Sequence, residues 1–313
     1  MSAGPDNHEK NPRPHTMTRV AALINQKGGV GKTTTAVNLA AGVAELGRRV
    51  LLIDLDPQAH STLHLGVDPA SVDRSVYDVL LEDPRETDPA TAIVRTRERL
   101  GLLAAETDLA AIESELAGVP DRSTRLSRAI EPLKSEYEFI FVDCPPSLGL
   151  LTLNALAMVR EVVVPMQAHY LALQGMGKLL ETVTLIGRGV NPRLRVTGVV
   201  LCQHEETTKL SKEVVADMEA FFKGSREKDV PWKGARVMRP AIRRNVKLAE
   251  CPSFGKTIFE YAPQCPGALD YLALARGFVE EWDRLLAKRA DPGPADAAPE
   301  VVVKPGAAAE SRR

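Results

Sequence analysis

The chain has 313 residues, is 44% hydrophobic and 26% charged, and carries a formal net charge of −1. Those values suit a globular protein and exclude a mainly disordered chain, a collagen-like repeat, a disulfide mini-protein and a globally basic nucleic-acid binder. No run of 18 apolar residues occurs, and the opening MSAGPDNHEKNPRPHT has no apolar signal region, so neither a membrane span nor secretion is expected.

Residues 1–17 read as a disordered leader, 18–288 as one folded domain, and 289–313, rich in Ala, Pro and Gly, as a disordered tail. In chain order, strands are predicted at Val20–Asn25, Val50–Asp54, Leu100–Ala104, Phe139–Asp143, Val162–Pro165 and Leu194–Leu201. Helices are predicted at Lys32–Leu46, Ser75–Leu81, Asp108–Leu116, Arg122–Lys134, Leu150–Met158, Gly175–Gly187, Lys209–Phe222 and Ala268–Ala287. The strand runs are continuous in Val, Ile and Leu rather than alternating, which favours strands buried on both faces. Strand–helix alternation then predicts an α/β fold: a doubly wound, mostly parallel sheet with helices on both faces. Cys144, Cys202, Cys251 and Cys265 are widely spaced and match no metal pattern, so free structural thiols in a reducing cytoplasm are expected.

The most informative run is Ala22–Thr35, ALINQKGGVGKTTT, where a strand enters a glycine-rich turn and a helix starts at once. Gly28, Gly29 and Gly31 let the backbone curl with its N–H groups inward, as a phosphate cradle requires, and the helix N-terminus adds partial positive charge. Lys32 is expected to reach the β/γ-phosphates and the Thr33 hydroxyl to hold Mg²⁺ directly. Lys27, Gly28, Gly29, Val30, Gly31, Lys32, Thr33 and Thr34 form the candidate nucleotide-binding run.

Two carboxylate motifs follow. The run VLLIDLDPQA, Val50–Ala59, ends a buried strand in Asp54 and Asp56. Carboxylates at the carboxyl end of a parallel strand sit where ligands bind, and residues two apart point the same way, so both are expected to face one metal–water cluster. YEFIFVDCPPS, Tyr137–Ser147, ends a second apolar strand in Asp143, a Walker B carboxylate expected to meet Mg²⁺ through water.

The charge distribution is uneven. Between Lys223 and Lys256 ten Lys and Arg face three acids, so this window is +7 and the remainder −8. A polyanion would have to dock there. His60 and His64, four apart, are read as ordinary exposed histidines rather than a metal pair.

The strict phosphate-loop pattern has Gly where this chain has Gln26, and Lys27 is a second lysine at the start of the loop. KGGVGKTT therefore resembles the deviant Walker A of the ParA/MinD superfamily of P-loop ATPases. MRPAIRRNVKLAECPSFGKTI, Met238–Ile258, resembles the "IPRNVRLAEAPSFGKTI" of ParA (Soj-type) partition ATPases, and VPMQAHYLALQG, Val164–Gly175, resembles their "IPVQAEYYALEG". The resemblance spans residues 18–287. It implies an ATP·Mg²⁺ site whose catalytic groups are Lys27, Lys32 and Asp56, with Asp54 near Mg²⁺ through water and Asp56 positioning the attacking water. It implies that Lys27 reaches across a nucleotide-sandwich homodimer to the partner's nucleotide. It also implies ATP-dependent, sequence-independent binding of double-stranded DNA, release by a ParB-like stimulating protein, and a cytoplasmic, nucleoid-associated location; the basic window offers Arg239, Arg243, Arg244 and Lys247 for the DNA, and with no amphipathic lipid-binding helix at its end no membrane contact is expected. The alternatives are a related positioning ATPase for a protein cargo and a nucleotide-gated scaffold with little DNA binding.

The chain departs from the family pattern at named positions. His169 and Gln174 replace glutamates, and Thr207 stands where the family's "TMYDGRT" has arginine, beside acidic Glu205 and Glu206. Lys209 and Lys212, one helical turn apart, are expected to replace that charge in part.

Overall fold

In the computed structural model the described residues are 17–83, 85–169, 172–205 and 208–290, with 172–174 described by backbone alone. The expected leader and tail fall on residues 1–16 and 291–313, outside the described residues but for their inner edges: Met17 precedes the first strand, and the last helix carries on to Ala290.

Eight strands form one sheet: β1 Arg19–Leu23, β2 Val50–Asp54, β3 Ile93–Arg97, β4 Leu100–Leu103, β5 Phe139–Asp143, β6 Glu161–Met166, β7 Arg195–Leu201 and β8 Arg236–Val237. Their order is β3-β4-β2-β5-β1-β6-β7-β8, and every pairing is parallel except β3 with β4. The expected fold class holds. Its cause is visible along the central strands. Val20 and Ala22 of β1 join the core on one face, and Ala21 and Leu23 join the core on the other. Leu51 and Ile53 of β2 divide from Val50 and Leu52 in the same way. Both sides of each strand are buried, so no polar alternation survives in the sequence.

The helix Lys32–Glu45 packs on one face beside the long helix Pro266–Ala290; Ala36, Leu39, Tyr271 and Phe278 share that core. The helices Leu150–Met158, Ala172–Gly189 and Lys209–Lys223 contribute Leu156, Leu179 and Met218 to the opposite core. Arg19 fixes the entry to β1: its buried guanidinium donates to Glu161 at 2.7 Å, to Glu281 at 2.9 Å and to the Phe278 carbonyl at 2.7 Å.

Among the differences from the sequence reading, two strands are added and two predicted helices are cut short. β3 has the run IVRTR, whose arginines hide an edge strand, and β8 is only two residues long. The predicted helix Asp108–Leu116 is a 3₁₀ turn, Thr107–Ala111, followed by the short helix Ile112–Glu115. The predicted Arg122–Lys134 helix is confined to Arg125–Ile130 and then tightens into a 3₁₀ turn, where Pro132 removes an N–H donor. Among the described residues no helix is long and apolar enough to cross a membrane.

Candidate nucleotide cleft and basic surface

The loop from Asn25 to Gly31 leaves the carboxyl end of β1 at the middle of the sheet. Gly29 and Gly31 adopt φ of 72° and 93°, the left-handed region that only glycine enters without strain. At Gly31 space is also restricted, because a Cβ there would meet Cβ of Cys202 at 3.2 Å. Gly28 needs neither explanation: its φ is ordinary and a Cβ would face open space. Val30 is 1% exposed, its side chain turned into the protein. Lys32 opens the helix and is buried; its Nζ donates to the Lys27 carbonyl at 3.3 Å. Burial holds its ammonium below the ordinary lysine value, opposed by the charges of Asp143 and Asp56.

Behind this loop lie the carboxylates. Asp54 and Asp143 are partners in the β2–β5 register and both are buried. Asp54 Oδ2 accepts from the Thr62 N–H at 2.9 Å and the Thr62 hydroxyl at 2.8 Å, and its Oδ1 accepts from the Asp56 N–H at 3.1 Å. Asp143 Oδ2 accepts from the Ser61 hydroxyl at 2.8 Å, whereas its Oδ1 is buried without a partner. Burial raises both carboxyls above the usual carboxylate range; the charge of Asp143 adds to this at Asp54, while the Thr33 and Ser61 hydroxyls oppose it at Asp143. An orphaned buried carboxylate oxygen beside the Thr33 hydroxyl is a hard oxygen donor set, and a magnesium ion fits it.

Asp54 and Asp56, both expected at one metal–water cluster, differ in exposure. Asp54 is fully buried and tied to Thr62, while Asp56, beyond the strand end, is half-buried and lines the cleft. The chain turns here: the Ala59 N–H donates to the Asp56 carbonyl at 2.8 Å, and Ala59 itself is left-handed at φ 52°.

The cleft is a cavity of about 710 Å³ between the phosphate loop, Lys32–Thr34, the Asp56–Gln58 turn and Pro145–Ser147. A second cavity of about 340 Å³ adjoins it, lined by Ile242–Val246, Leu248, Cys202 and Tyr271 among others. Gly31, Thr34 and Gln203 border both, so the two are halves of one cleft. The sequence reading missed the second half. Gln203 stands at the junction with φ 50°, a strained value for a residue with a side chain, and nothing in its sequence context announces that.

The exit of β6 is stapled to the phosphate loop. Asn25 Nδ2 donates to the Pro165 carbonyl at 2.8 Å, Gln167 Nε2 donates to the Gly29 carbonyl at 3.2 Å, and Lys27 Nζ lies 2.8 Å from His169 Nε2. The Lys27 N–H in turn donates to Asn25 Oδ1 at 3.0 Å. Lys27 itself is exposed at the cleft mouth.

The four basic candidates do not stand free. Arg239 pairs with Glu219 at 2.7 Å, Arg243 with Asp270 at 2.7 Å, Arg244 with Glu205 at 3.1 Å and Lys247 with Glu250 at 2.8 Å. Carboxylates from outside the basic window offset it at three of these positions. Arg244 keeps 73% of its side chain exposed despite its partner. Lys209 and Lys212 are exposed on their helix, and Lys209 lies 3.8 Å from Glu213. Thr207 and Glu206 lie outside the described residues, as does the side chain of Gln174.

His60 and His64 also separate. His60 is exposed, but His64 is 2% exposed, with Nε2 3.5 Å from Cys251 Sγ, and burial pushes its pKa down to about 4. The expectation of two exposed histidines is therefore wrong for His64. Next to it, Gly66 and Gly255 meet backbone to backbone: a Cβ on Gly255 would lie 2.7 Å from the Gly66 Cα. Arg97 holds both sides of that contact, donating to the Leu65 carbonyl at 2.8 Å and the Gly255 carbonyl at 3.0 Å.

Comparison with known proteins places this geometry in context. Residues 18–196 match a family described as an AAA domain. The chain is 43% identical to the sporulation initiation inhibitor protein Soj of Bacillus subtilis over 83% of its length and 98% of that protein. It is 46% identical to the chromosome-partitioning ATPase Soj of Thermus thermophilus over 82% of its length and 94% of that protein. Among solved structures, cobyrinic acid a,c-diamide synthase from Mycobacterium smegmatis with bound ADP and magnesium is 36% identical, with a TM-score of 0.70, covering 85% of this chain and 96% of that one.

Proposed function

This chain belongs to the ParA/Soj family of chromosome-partitioning ATPases, and on that premise we propose that it is an ATP·Mg²⁺-driven DNA-segregation ATPase. The observation that carries the reading is the conjunction at one cleft of left-handed Gly29 and Gly31, a buried Lys32 at a helix N-terminus, and an unpartnered Asp143 oxygen. Backbone N–H groups and Lys32 receive the phosphates. Thr33 directly, and Asp54 and Asp143 through water, would hold magnesium, whose charge would offset that of the phosphates. Asp56, at the cleft wall, orients the attacking water. The cavity bordered by Ile242–Val246 takes the base and ribose, since it adjoins the phosphate loop at Gly31 and Thr34.

In this reading Lys27 acts in trans, completing the partner's site when two ATP-bound chains close face to face. The dimer pairs two basic surfaces and holds duplex DNA of any sequence at the nucleoid until a ParB-like protein stimulates hydrolysis. The test is binding to random-sequence duplex with ATP, with ADP and without nucleotide: binding with ATP alone supports it, and equal binding in all three states sinks it. One observation favours a second reading, a nucleotide-gated scaffold with little DNA binding: every basic candidate is engaged by a carboxylate of its own chain. ATP-dependent dimerisation without DNA retention would select that reading.

A further inference from the structure

His169 departs from the glutamate expected at its position and makes a contact that a glutamate would make differently. Its Nε2 lies 2.8 Å from Lys27 Nζ. An ammonium has only donors, so Nε2 must be the acceptor and the ring must be neutral with its proton on Nδ1. The contact is not a chance meeting of two long side chains, because the segment carrying His169 is already fixed to the loop by Asn25–Pro165 and Gln167–Gly29. Among the described residues, Lys27 is the charged group whose field reaches His169; Asn25, Gly29, Gln167 and Ala168 around it are uncharged.

We propose that His169 is a positioning residue for Lys27: its neutral ring parks the Lys27 ammonium on the chain's own loop and releases it when the ring is protonated. This rests on the reading of Lys27 as a group that acts on a partner's nucleotide. A neutral imidazole accepts from the ammonium. A protonated one has no lone pair left, and it sets a second cation against the first. Release costs nothing in acid and costs a charge-assisted hydrogen bond at alkaline pH. Availability of Lys27 for assembly therefore increases as pH falls. Both partial burial and the field of Lys27 hold the His169 pKa below its ordinary value, so the change lies on the acid side of the usual imidazole range.

Three measurements test this. NMR titration of the nucleotide-free protein should show the His169 midpoint rising in Lys27→Gln, where the neighbouring cation is gone; an unchanged midpoint overturns the proposal at its root. Sedimentation with Mg²⁺ and a non-hydrolysable ATP analogue should show wild-type dimerisation tightening roughly three- to tenfold from about pH 8 to about pH 5.5, relative to His169→Gln, which cannot charge. Equal pH profiles for the two proteins overturn it. Lys27→Gln in the same assay separates the two layers of the argument. If it dimerises as wild type does, the trans role of Lys27 fails and the pH effect has no object. If it does not dimerise while the two profiles coincide, the role of His169 alone fails.

Discussion

The phosphate loop borders the same cleft as Ile242–Val246 of the basic run Arg239–Lys247, yet loop and run are specified in opposite ways. The loop is set by neighbours in sequence: Gly29 and Gly31 supply the left-handed turns, and Lys32 begins the helix that follows. The basic run is set by residues far along the chain. Glu219, Asp270 and Glu205 reach Arg239, Arg243 and Arg244 across 20, 27 and 39 positions. Backbone shape is a local property, whereas the electrostatic character of a surface belongs to the folded molecule.

The largest effects should come from the cleft. Asp56→Ala should lower ATP hydrolysis about 10²- to 10³-fold while leaving ATP affinity within about threefold, because a water-orienting group acts late. Phosphate release and isothermal titration would check both halves, and a mutant with wild-type turnover removes Asp56 from the mechanism. Lys32→Ala should weaken ATP·Mg²⁺ binding by about 30- to 100-fold, the worth of a charged hydrogen bond in a sheltered site. Titration showing unchanged affinity would break the phosphate-loop side of the comparison.

Next come effects on stability. Gly31→Ala should cost about 1–3 kcal/mol in urea unfolding, combining positive φ with the approach of Cys202. Gly47→Ala, also at positive φ but facing open space, should cost about 1 kcal/mol, so equal losses would mean that the Cys202 contact does not matter. Asp54 offers an opposite sign. Its carboxyl is raised in the folded protein, so its charge destabilises the fold at alkaline pH, and that cost fades as pH falls toward the unfolded value. The nucleotide-free wild type should gain stability relative to Asp54→Asn from about pH 8 to about pH 5.5, and Asp54→Asn should be the more stable at the alkaline end by on the order of 1 kcal/mol. Parallel melting curves across that range would contradict the assignment.

The smallest effects should lie on the basic surface. If an ATP-bound dimer neutralises about 6 phosphates, the log–log salt slope is about −5. Arg244→Glu should weaken binding to all duplex sequences alike and flatten the slope by roughly one unit for each phosphate that is no longer neutralised. Glu205→Gln should do the reverse, by freeing Arg244 at little cost to stability, since exposed pairs contribute about 0–1 kcal/mol. Should neither change move DNA affinity, Arg244 lies outside the DNA surface.

Legibility followed the same division. The strands buried on both faces and the run KGGVGKTT could be read directly, because each is a pattern among adjacent residues. β3 escaped because the arginines of IVRTR are tolerated at a sheet edge, and β8 because two residues carry no periodicity. The interior of the site was read less well than its outline. Asp54 and Asp56 were separable only once Thr62 was seen to hold one of them, and His64 looked like a surface residue until Cys251 was placed against it. Gln203 gave no signal, since a left-handed residue other than glycine is imposed by its surroundings.

The crossing of Gly66 and Gly255 has a mechanical consequence. These glycines join the segment after Asp56 to the segment after Lys247 with no side chain between them, and Arg97 rivets the two carbonyl groups to one guanidinium. His64 and Cys251 form a second fastening nearby. A joint that tight has no slack to absorb a displacement. A displacement of the Asp56 turn that reaches Gly66 would pass to Gly255, and on to the run leading back to Lys247, with no side chain between to cushion it.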